Sequence, residues 1–285
     1  TFQHIFINTI DDYFVPLSLL GAPFDINYSA IFNNPEFSNK NNIFKYLYIL
    51  VKILLLNLIL NQKQLSKIYF NNFLIFKFLK RKIYQKKKIH WFYEPIIFNK
   101  NKIILNQKKI ILVYGAIKKS KSIEQLINIF KTPEYKKQKN YKVNIIGDQF
   151  KDVKTLLNSS FSRGLIKSGK LLIKNKFVSD KEGYNYFKKS HFVWVAYEKK
   201  FLNSSGVFFT ALKHFKPVIT NNYGYLAFLV KKYNLGECVD INNPVSILKV
   251  LAKLENNYKD KVTSILKFRK DYKKNSFFQK INFID

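Results

Sequence analysis

The chain of 285 residues carries a formal net charge of +32, and 47% of its residues are hydrophobic. These values predict about two folded domains and exclude an intrinsically disordered chain. A single cysteine, Cys238, excludes an intramolecular disulfide framework and a cysteine-based zinc site, and fits a reducing cytoplasm, where we expect the protein to reside.

The N-terminal region, residues 1–102, has the weaker pattern. The run HIFIN (His4–Asn8) predicts a strand, and IHWFY (Ile89–Tyr93) predicts another. Between them lies the most apolar run, FKYLYILVKILLLNLIL (Phe44–Leu60). It is shorter than the ~20 residues of a spanning helix and contains two lysines. We predict a buried or interfacial helix, with a membrane span as the alternative.

The basic run KFLKRKIYQKKK (Lys77–Lys88) permits two interpretations. It is either a solvated surface or a patch that faces an anionic membrane, so we predict a peripheral membrane contact through the N-terminal half. We predict no nucleic-acid partner. Arginine is preferred for bidentate contacts to bases and phosphates, and it occurs only at Arg81, Arg163 and Arg269.

From Lys109 onward, short apolar runs alternate with helical segments, after a polar linker at Ile96–Gln107. The predicted strands are 110–114, 143–146, 171–173, 192–196, 217–220 and 237–240. The predicted helices are 122–130, 181–189, 205–215, 225–233 and 244–254. Such alternation is typical of βαβ units around a parallel sheet, so the predicted fold class is α/β.

Three polar loops follow predicted strands, at the positions where a parallel sheet binds ligands. They are GAIKKSKS from Gly115 to Ser122, NSSGV from Asn203 to Val207, and NYG from Asn222 to Gly224. Each alone is also compatible with an ordinary turn and helix cap. Together they offer glycine, lysine and free helix N–H groups, which favour a phosphate.

The order of these motifs resembles the group 1 retaining glycosyltransferases, which have the GT-B fold. That family runs strand, GxxxxxKG, helix and a strand ending in IIGD. Here ILVYGAIKKSKSIEQLI precedes VNIIGDQ. The family then continues through G.V...E...Y..AD to SSGV...EA...GKPVI....G. Here KFVSDKEGYNYFKKSHFVWVAYEKK precedes FLNSSGVFFTALKHFKPVITNNYG. The resemblance extends from about Ile103 to Ile281.

The resemblance implies a GT-B architecture of two Rossmann-like domains. Residues 103–285 would bind the nucleotide sugar, and residues 1–102 would be an acceptor-side domain. We expect that N-terminal domain to be truncated, because the chain starts at Thr1 and contains no methionine. The expected donor phosphate-binding residues are Gly115, Lys121, Ser204, Ser205 and Gly206. The expected nucleotide or sugar pocket comprises Gly147, Asp148, Val178, Tyr197 and Thr210.

The implied reaction transfers a sugar from a nucleotide-diphosphate donor to a hydroxyl of a glycan or lipid-linked acceptor, with retention. Cell-envelope polysaccharide biosynthesis is the expected setting. Thr210 stands where the family carries a glutamate that holds the ribose or the sugar, and Phe215 replaces a glycine. The alternative is therefore a non-catalytic relic or scaffold with this fold.

Other candidate sites are weaker. The four histidines, His4, His90, His191 and His214, lack ligand spacing, so we predict no metal and no cofactor. His191 and Trp194 are interpreted as packing residues. Asp11 and Asp12 could approach an acceptor hydroxyl as a base, although a turn or helix cap is favoured. No catalytic residue is assigned.

Overall fold

The computed structural model describes residues 4–33, 43–96, 98, 109–138, 141–199, 201–276 and 279. The chain forms two compact units. The first comprises Thr1–Pro95, Leu202–Ser204 and Tyr272–Asp285, and the second comprises Ile96–Phe201 and Ser205–Asp271. Most of the predicted linker, and with it the predicted boundary at 102/103, lies outside the described residues.

The first unit contains a four-stranded parallel sheet in the order β1-β2-β3-β4. The strands are β1 (His4–Ile7), β2 (Asn27–Ile31), β3 (Leu65–Phe70) and β4 (Ile89–Trp91). The helices between them are α1 (Phe14–Leu20), α2 (Ile43–Asn61) and α3 (Phe73–Leu79). Helices connect successive parallel strands because such strands require a long crossover. The predicted strands at residues 4–8 and 89–93 and the helix at residues 44–60 are thus present.

The main core of the first unit lies between the helices and the sheet. Its buried side chains include Phe14 of α1, Leu56 of α2, and Tyr28, Ile68 and Phe70 of the sheet. No helix in the described part of the chain is both long and apolar enough to cross a membrane. The side chain of Leu56 is buried in this core, so one side of α2 packs within the first unit.

Two segments from the C-terminal half of the chain also belong to the first unit. The sequence did not predict this arrangement. Asn72 donates from its side-chain amide to the Leu202 carbonyl at 3.0 Å. The Tyr272 hydroxyl donates to the Glu94 carbonyl at 2.7 Å, and its ring stacks on Tyr93 at a centroid distance of 5.7 Å. These contacts bring residues 202–204 and 272–276 to the first sheet.

The second unit contains a six-stranded sheet in the order β10-β9-β8-β5-β6-β7, in which every pair is parallel. The strands are β5 (Lys109–Tyr114), β6 (Tyr141–Ile146), β7 (Leu171–Lys174), β8 (Phe192–Trp194), β9 (Val218–Asn221) and β10 (Gly236–Val239). Numbered within this unit, the order is 6-5-4-1-2-3, which is the doubly wound Rossmann order. The predicted α/β class with parallel sheets is confirmed.

Helices connect these strands, and two more helices follow β10. They are α4 (Ile123–Ile127), α5 (Pro133–Gln138), α6 (Lys151–Leu157), α7 (Ser160–Lys167), α8 (Asp180–Lys189), α9 (Gly206–Lys213), α10 (Gly224–Tyr233), α11 (Pro244–Asn256) and α12 (Tyr258–Lys274), with short 3-10 turns at Lys119–Lys121 and Asn128–Lys131. The predicted helix at 122–130 is thus an α-helix continued by a 3-10 turn. The predicted strand at 192–196 is shorter, because its ladder ends at Trp194.

Candidate functional site

The candidate site lies at the carboxyl ends of the second unit's strands. Strands β5 and β8 are neighbours in the sheet. The chain continues from β5 to β6 on one side of this pair and from β8 to β9 on the other side. This is the topological switch point, where the loops separate and leave a crevice. The loops that begin at Gly115 and at Val195 flank it. The predicted phosphate loops therefore begin where a doubly wound sheet binds its ligands.

Lys121 is held in a buried position at this edge. Its side chain is 8% exposed, and its ammonium group donates to the Tyr114 carbonyl at the end of β5. The indole N–H of Trp194 donates to the Lys121 carbonyl at 2.8 Å. Trp194 is therefore more than the packing residue predicted from the sequence. It fixes the backbone that carries the lysine.

The ammonium group of Lys121 is easier to deprotonate than that of an ordinary lysine. Burial, together with the positive charge of Lys118, lowers the pKa of Lys121 to about 8. Removing water disfavours the charged form, and a like charge acts in the same direction. A bound anion would raise the pKa again, because its negative charge stabilises the protonated form.

The N-terminus of α9 lies beside Lys121. A Cβ atom placed on Gly115 would lie 3.4 Å from the Val207 side chain and 3.7 Å from the Lys121 Nζ. Ser205 caps α9 by accepting a hydrogen bond from the Phe208 N–H at 3.4 Å, and Gly206 is exposed. The structure thus brings together four predicted residues, namely Gly115, Lys121, Ser205 and Gly206. A lysine and free helix N–H groups at one point favour an anion.

Gly115 and Gly147 make a close backbone contact between neighbouring strand ends. Gly147 has φ of +142°, and a Cβ atom placed on it would lie 1.9 Å from the Gly115 carbonyl oxygen. The Gly115 N–H also donates to the Ile146 carbonyl at 3.1 Å. Only glycine fits at residue 147 without movement of the backbone. Gly147 therefore allows the ends of β5 and β6 to lie in close contact.

Hydrogen bonds tie the loop after β8 to the loop after β9. The Tyr197 hydroxyl pairs with the Ser205 hydroxyl at 2.8 Å, and the Tyr197 N–H donates to the Asn221 side chain at 3.2 Å. Asn221 in turn donates to the Tyr223 carbonyl at 2.7 Å. Asn221 is buried at the end of β9, and no sequence motif marks it. Tyr197 thus positions the α9 cap.

The remaining predicted residues occupy different surroundings. Asp148 is exposed, and Val178 is buried before α8. Thr210 is one turn into α9, where its hydroxyl donates to the Gly206 carbonyl at 2.8 Å. The Thr210 hydroxyl is therefore engaged in a hydrogen bond within α9. Ser204 belongs to the first unit, where it lies beside the Glu94 carboxyl group. The roles of all ten predicted residues in donor binding stay predictions.

A polar cleft of about 500 Å³ opens at the carboxyl ends of β8, β9 and β10. Its lining comprises Gln125, Glu198, Lys199, Asn222, Tyr223 and residues 240–242. The Glu198 N–H donates to the Ser120 carbonyl at 2.9 Å, which joins this cleft to the loop of Lys121. Amide and carboxylate groups of this kind can hydrogen-bond hydroxyl groups.

The other sequence candidates are structural in character. No group of metal-ligating side chains occurs among the described residues. Asp11 accepts hydrogen bonds from the Thr9 hydroxyl at 2.6 Å and from the Asn33 N–H at 3.0 Å. These bonds fasten the loops after β1 and β2, which agrees with the turn interpretation. His191 packs against Phe192 and Tyr258.

A comparison with protein families identifies the chain. The sequence model described as "Glycosyl transferases group 1" matches residues 96–277. The chain belongs to the group 1 glycosyltransferases. The resemblance inferred from the motifs is confirmed at this level. No curated protein sequence is significantly similar to the chain.

Several solved structures share the fold of this chain. The crystal structure of TarM has a TM-score of 0.59 at 13% identity, and the match covers 88% of this chain and 48% of that one. Anabaena HepE in complex with UDP has a TM-score of 0.65 at 12% identity, with coverages of 96% and 74%. A Rickettsia africae glycosyltransferase has a TM-score of 0.59 at 16% identity, with coverages of 90% and 68%. The chain thus spans about half the length of TarM.

Proposed function

We propose that the protein transfers a sugar from a nucleoside-diphosphate donor to an acceptor hydroxyl, with retention at the anomeric carbon. The observation that carries this proposal is the meeting of buried Lys121 with the N-terminus of α9 at the switch point of the second sheet. Family membership supports sugar transfer in general. A glycan or lipid-linked hydroxyl is the proposed acceptor, and cell-envelope polysaccharide synthesis in the cytoplasm is the proposed setting.

The chemical task is to stabilise the diphosphate as it leaves the sugar. Negative charge grows on the leaving group in the transition state, so positive groups that are already in place lower the barrier. Lys121 supplies an ammonium group, and the first turn of α9 supplies N–H groups and the positive end of its dipole. These groups make an obligatory metal ion unnecessary in this mechanism.

The first experiment is a thermal-shift screen against uridine, guanosine and adenosine diphosphates and their sugars. The structure of Anabaena HepE with UDP makes the uridine compounds the first to test. A ligand that binds only the folded state raises the melting temperature. Sugar release or transfer is then measured with the best donor. A screen in which no nucleotide stabilises the protein would reject the proposed function.

A non-catalytic relic or scaffold is the second candidate. The Thr210 hydroxyl is bonded within α9, and the family's glutamate is absent from this position. Such a protein would keep the fold without turnover. The two candidates differ in one measurement, since only the enzyme consumes the donor that it binds.

Restoring the family's carboxylate tests the importance of residue 210. We expect Thr210→Glu to raise the affinity for the best nucleotide sugar roughly 10- to 100-fold, because a charged hydrogen bond contributes about 1.5–3 kcal/mol. Isothermal titration measures the change. Thr210→Gln is the matched control, which has a similar shape and no charge. Equal affinities for all three proteins would show that residue 210 does not face the donor.

Donor affinity should depend on pH through Lys121. Only the protonated lysine attracts the diphosphate, and burial lowers its pKa to about 8. The affinity should therefore be highest below pH 8 and fall about tenfold per pH unit above it, until the total loss reaches the roughly 10- to 100-fold expected for removal of the lysine charge. Titrations with a nucleotide sugar over this range measure the profile. Lys121→Ala should flatten the profile, whereas an unchanged slope would assign it to another group.

A further inference from the structure

The exposed face of α2 is apolar, which is the reverse of an ordinary surface helix. From Tyr46 to Leu58 the outward residues, here called the α2 face, are Tyr46, Leu47, Tyr48, Leu50, Val51, Leu54 and Leu58. The polar residues of this stretch, Lys52 and Asn57, are buried. Leu54 is 65% exposed, so water contacts a continuous apolar stripe. Such patches mark interaction surfaces.

Both buried polar residues have partners within the unit. The Lys52 ammonium group lies 4.7 Å from the centre of the Tyr48 ring. Asn57 donates to the Ile53 carbonyl at 3.0 Å and accepts from the Tyr84 N–H at 3.1 Å. The orientation of α2 is therefore fixed, and its apolar side faces outward as part of the folded structure.

A basic surface adjoins the C-terminal end of α2. The bond between Asn57 and Tyr84 brings the segment after α3 to this end, and Lys88 donates to the Gln62 carbonyl at 2.8 Å. Tyr84 is 85% exposed. The exposed basic residues of this segment, here called the basic loop, are Lys80, Arg81, Lys82, Lys86 and Lys87. No aspartate or glutamate occurs anywhere from residue 43 to residue 93.

The end of α1 lies beside the C-terminal end of α2. The Gln62 side chain donates to the Leu17 carbonyl at 2.5 Å, so Gln62 joins α1, α2 and the segment of Lys88. Leu19 and Leu20 at the end of α1 are exposed, Leu20 by 86%. Apolar side chains, an exposed tyrosine and a cluster of cations thus occupy one region of the first unit.

We propose that the α2 face and the basic loop dock on an anionic lipid bilayer. An apolar helix face inserts to the depth of the headgroups, tyrosine favours that interface, and lysines attract anionic lipids. Charge complementarity decides for a bilayer, because an apolar partner alone would not explain five exposed cations in a stretch, residues 43–93, that contains no aspartate or glutamate. The proposal locates the membrane contact predicted from composition. It does not depend on sugar transfer, so either proposal can fail alone.

Binding of the full chain to vesicles tests the proposal. We expect it to sediment with vesicles of phosphatidylcholine and phosphatidylglycerol, weakly or not at all with phosphatidylcholine alone, and less as salt is raised. The variant Lys82→Gln/Lys86→Gln/Lys87→Gln should lower the partition coefficient roughly 100-fold. Its matched control is Lys154→Gln/Lys181→Gln/Lys249→Gln, which removes the same charge from exposed positions in the second unit. Equal losses would mean that only total charge matters, and would overturn the proposal.

The apolar contribution is tested separately. Leu54→Ser/Leu58→Ser should lower vesicle binding about tenfold or more, whereas Leu172→Ser/Leu266→Ser, at exposed leucines of the second unit, should not. Fluorescence of Leu54→Trp should shift to the blue with anionic vesicles and be quenched by brominated acyl chains. Absence of vesicle binding by the unaltered chain would overturn the proposal. So would a dimer, seen by sedimentation without lipid, that Leu54→Ser/Leu58→Ser dissociates, because a second copy would then cover the α2 face.

Discussion

Replacing Lys121 with alanine should lower nucleotide affinity roughly 10- to 100-fold. The change removes a charge-assisted contact, which contributes about 1.5–3 kcal/mol. The lysine is buried and fixed at two points. Its ammonium group donates to the Tyr114 carbonyl, and the Trp194 indole N–H donates to the Lys121 carbonyl. Little further ordering is needed when a diphosphate binds, so the contact should contribute fully. Isothermal titration with the best ligand from the thermal-shift screen measures the loss.

The control for this prediction is Lys249→Ala. Lys249 is exposed on α11, and its loss changes the net charge by the same amount. It should leave nucleotide affinity nearly unchanged, because water and salt screen an exposed charge. If both variants lost affinity equally, diffuse positive charge would explain binding, and the specific site at the switch point would be wrong.

The second unit was predictable because its strands and loops follow simple local rules. The run IILVY is apolar throughout, as a strand buried on both faces must be, and it forms β5. The first unit was less predictable. Strand β2 has the sequence NYSAI and β3 has LSKIYF, which show little alternation in hydropathy. The first unit also includes segments 202–204 and 272–276, whose contacts with Asn72, Tyr93 and Glu94 no local pattern reveals.

Topology made part of the site predictable. Loops after parallel strands emerge at one edge, so Lys121 and Ser205 could be placed together from the sequence. The contacts that position them could not. Trp194 bonds to Lys121 across 73 positions, and Asn221 bonds to Tyr197 across 24 positions. Such bonds depend on side-chain directions within the folded sheet.

Phe215 illustrates a departure from the family that the structure explains. The residue has φ of +57°, the left-handed conformation in which the family's glycine is unstrained. A phenylalanine there costs about 1–2 kcal/mol. Its ring is buried and lies 4.8 Å from the Arg269 guanidinium. Burial of a phenylalanine contributes about 1.5–3 kcal/mol, which offsets the strain.

Replacing Gly147 with alanine should destabilise the second unit by about 3 kcal/mol, within the range of severe backbone and packing changes. The added Cβ would lie 1.9 Å from the Gly115 carbonyl oxygen, and φ of +142° is unfavourable for alanine. Because the obstacle is backbone, relief requires the ends of β5 and β6 to separate. The bond from the Gly115 N–H to the Ile146 carbonyl would then lengthen.

Thermal unfolding measures this effect, and Gly164→Ala provides the matched control. Gly164 lies within α7, and a Cβ atom there meets nothing within 4 Å. Alanine should therefore stabilise that helix by about 0.5–1 kcal/mol. The two identical substitutions should shift the melting temperature in opposite directions. If Gly147→Ala melted at or above the temperature of the unaltered protein, the close approach of Gly115 and Gly147 would not constrain the ends of β5 and β6.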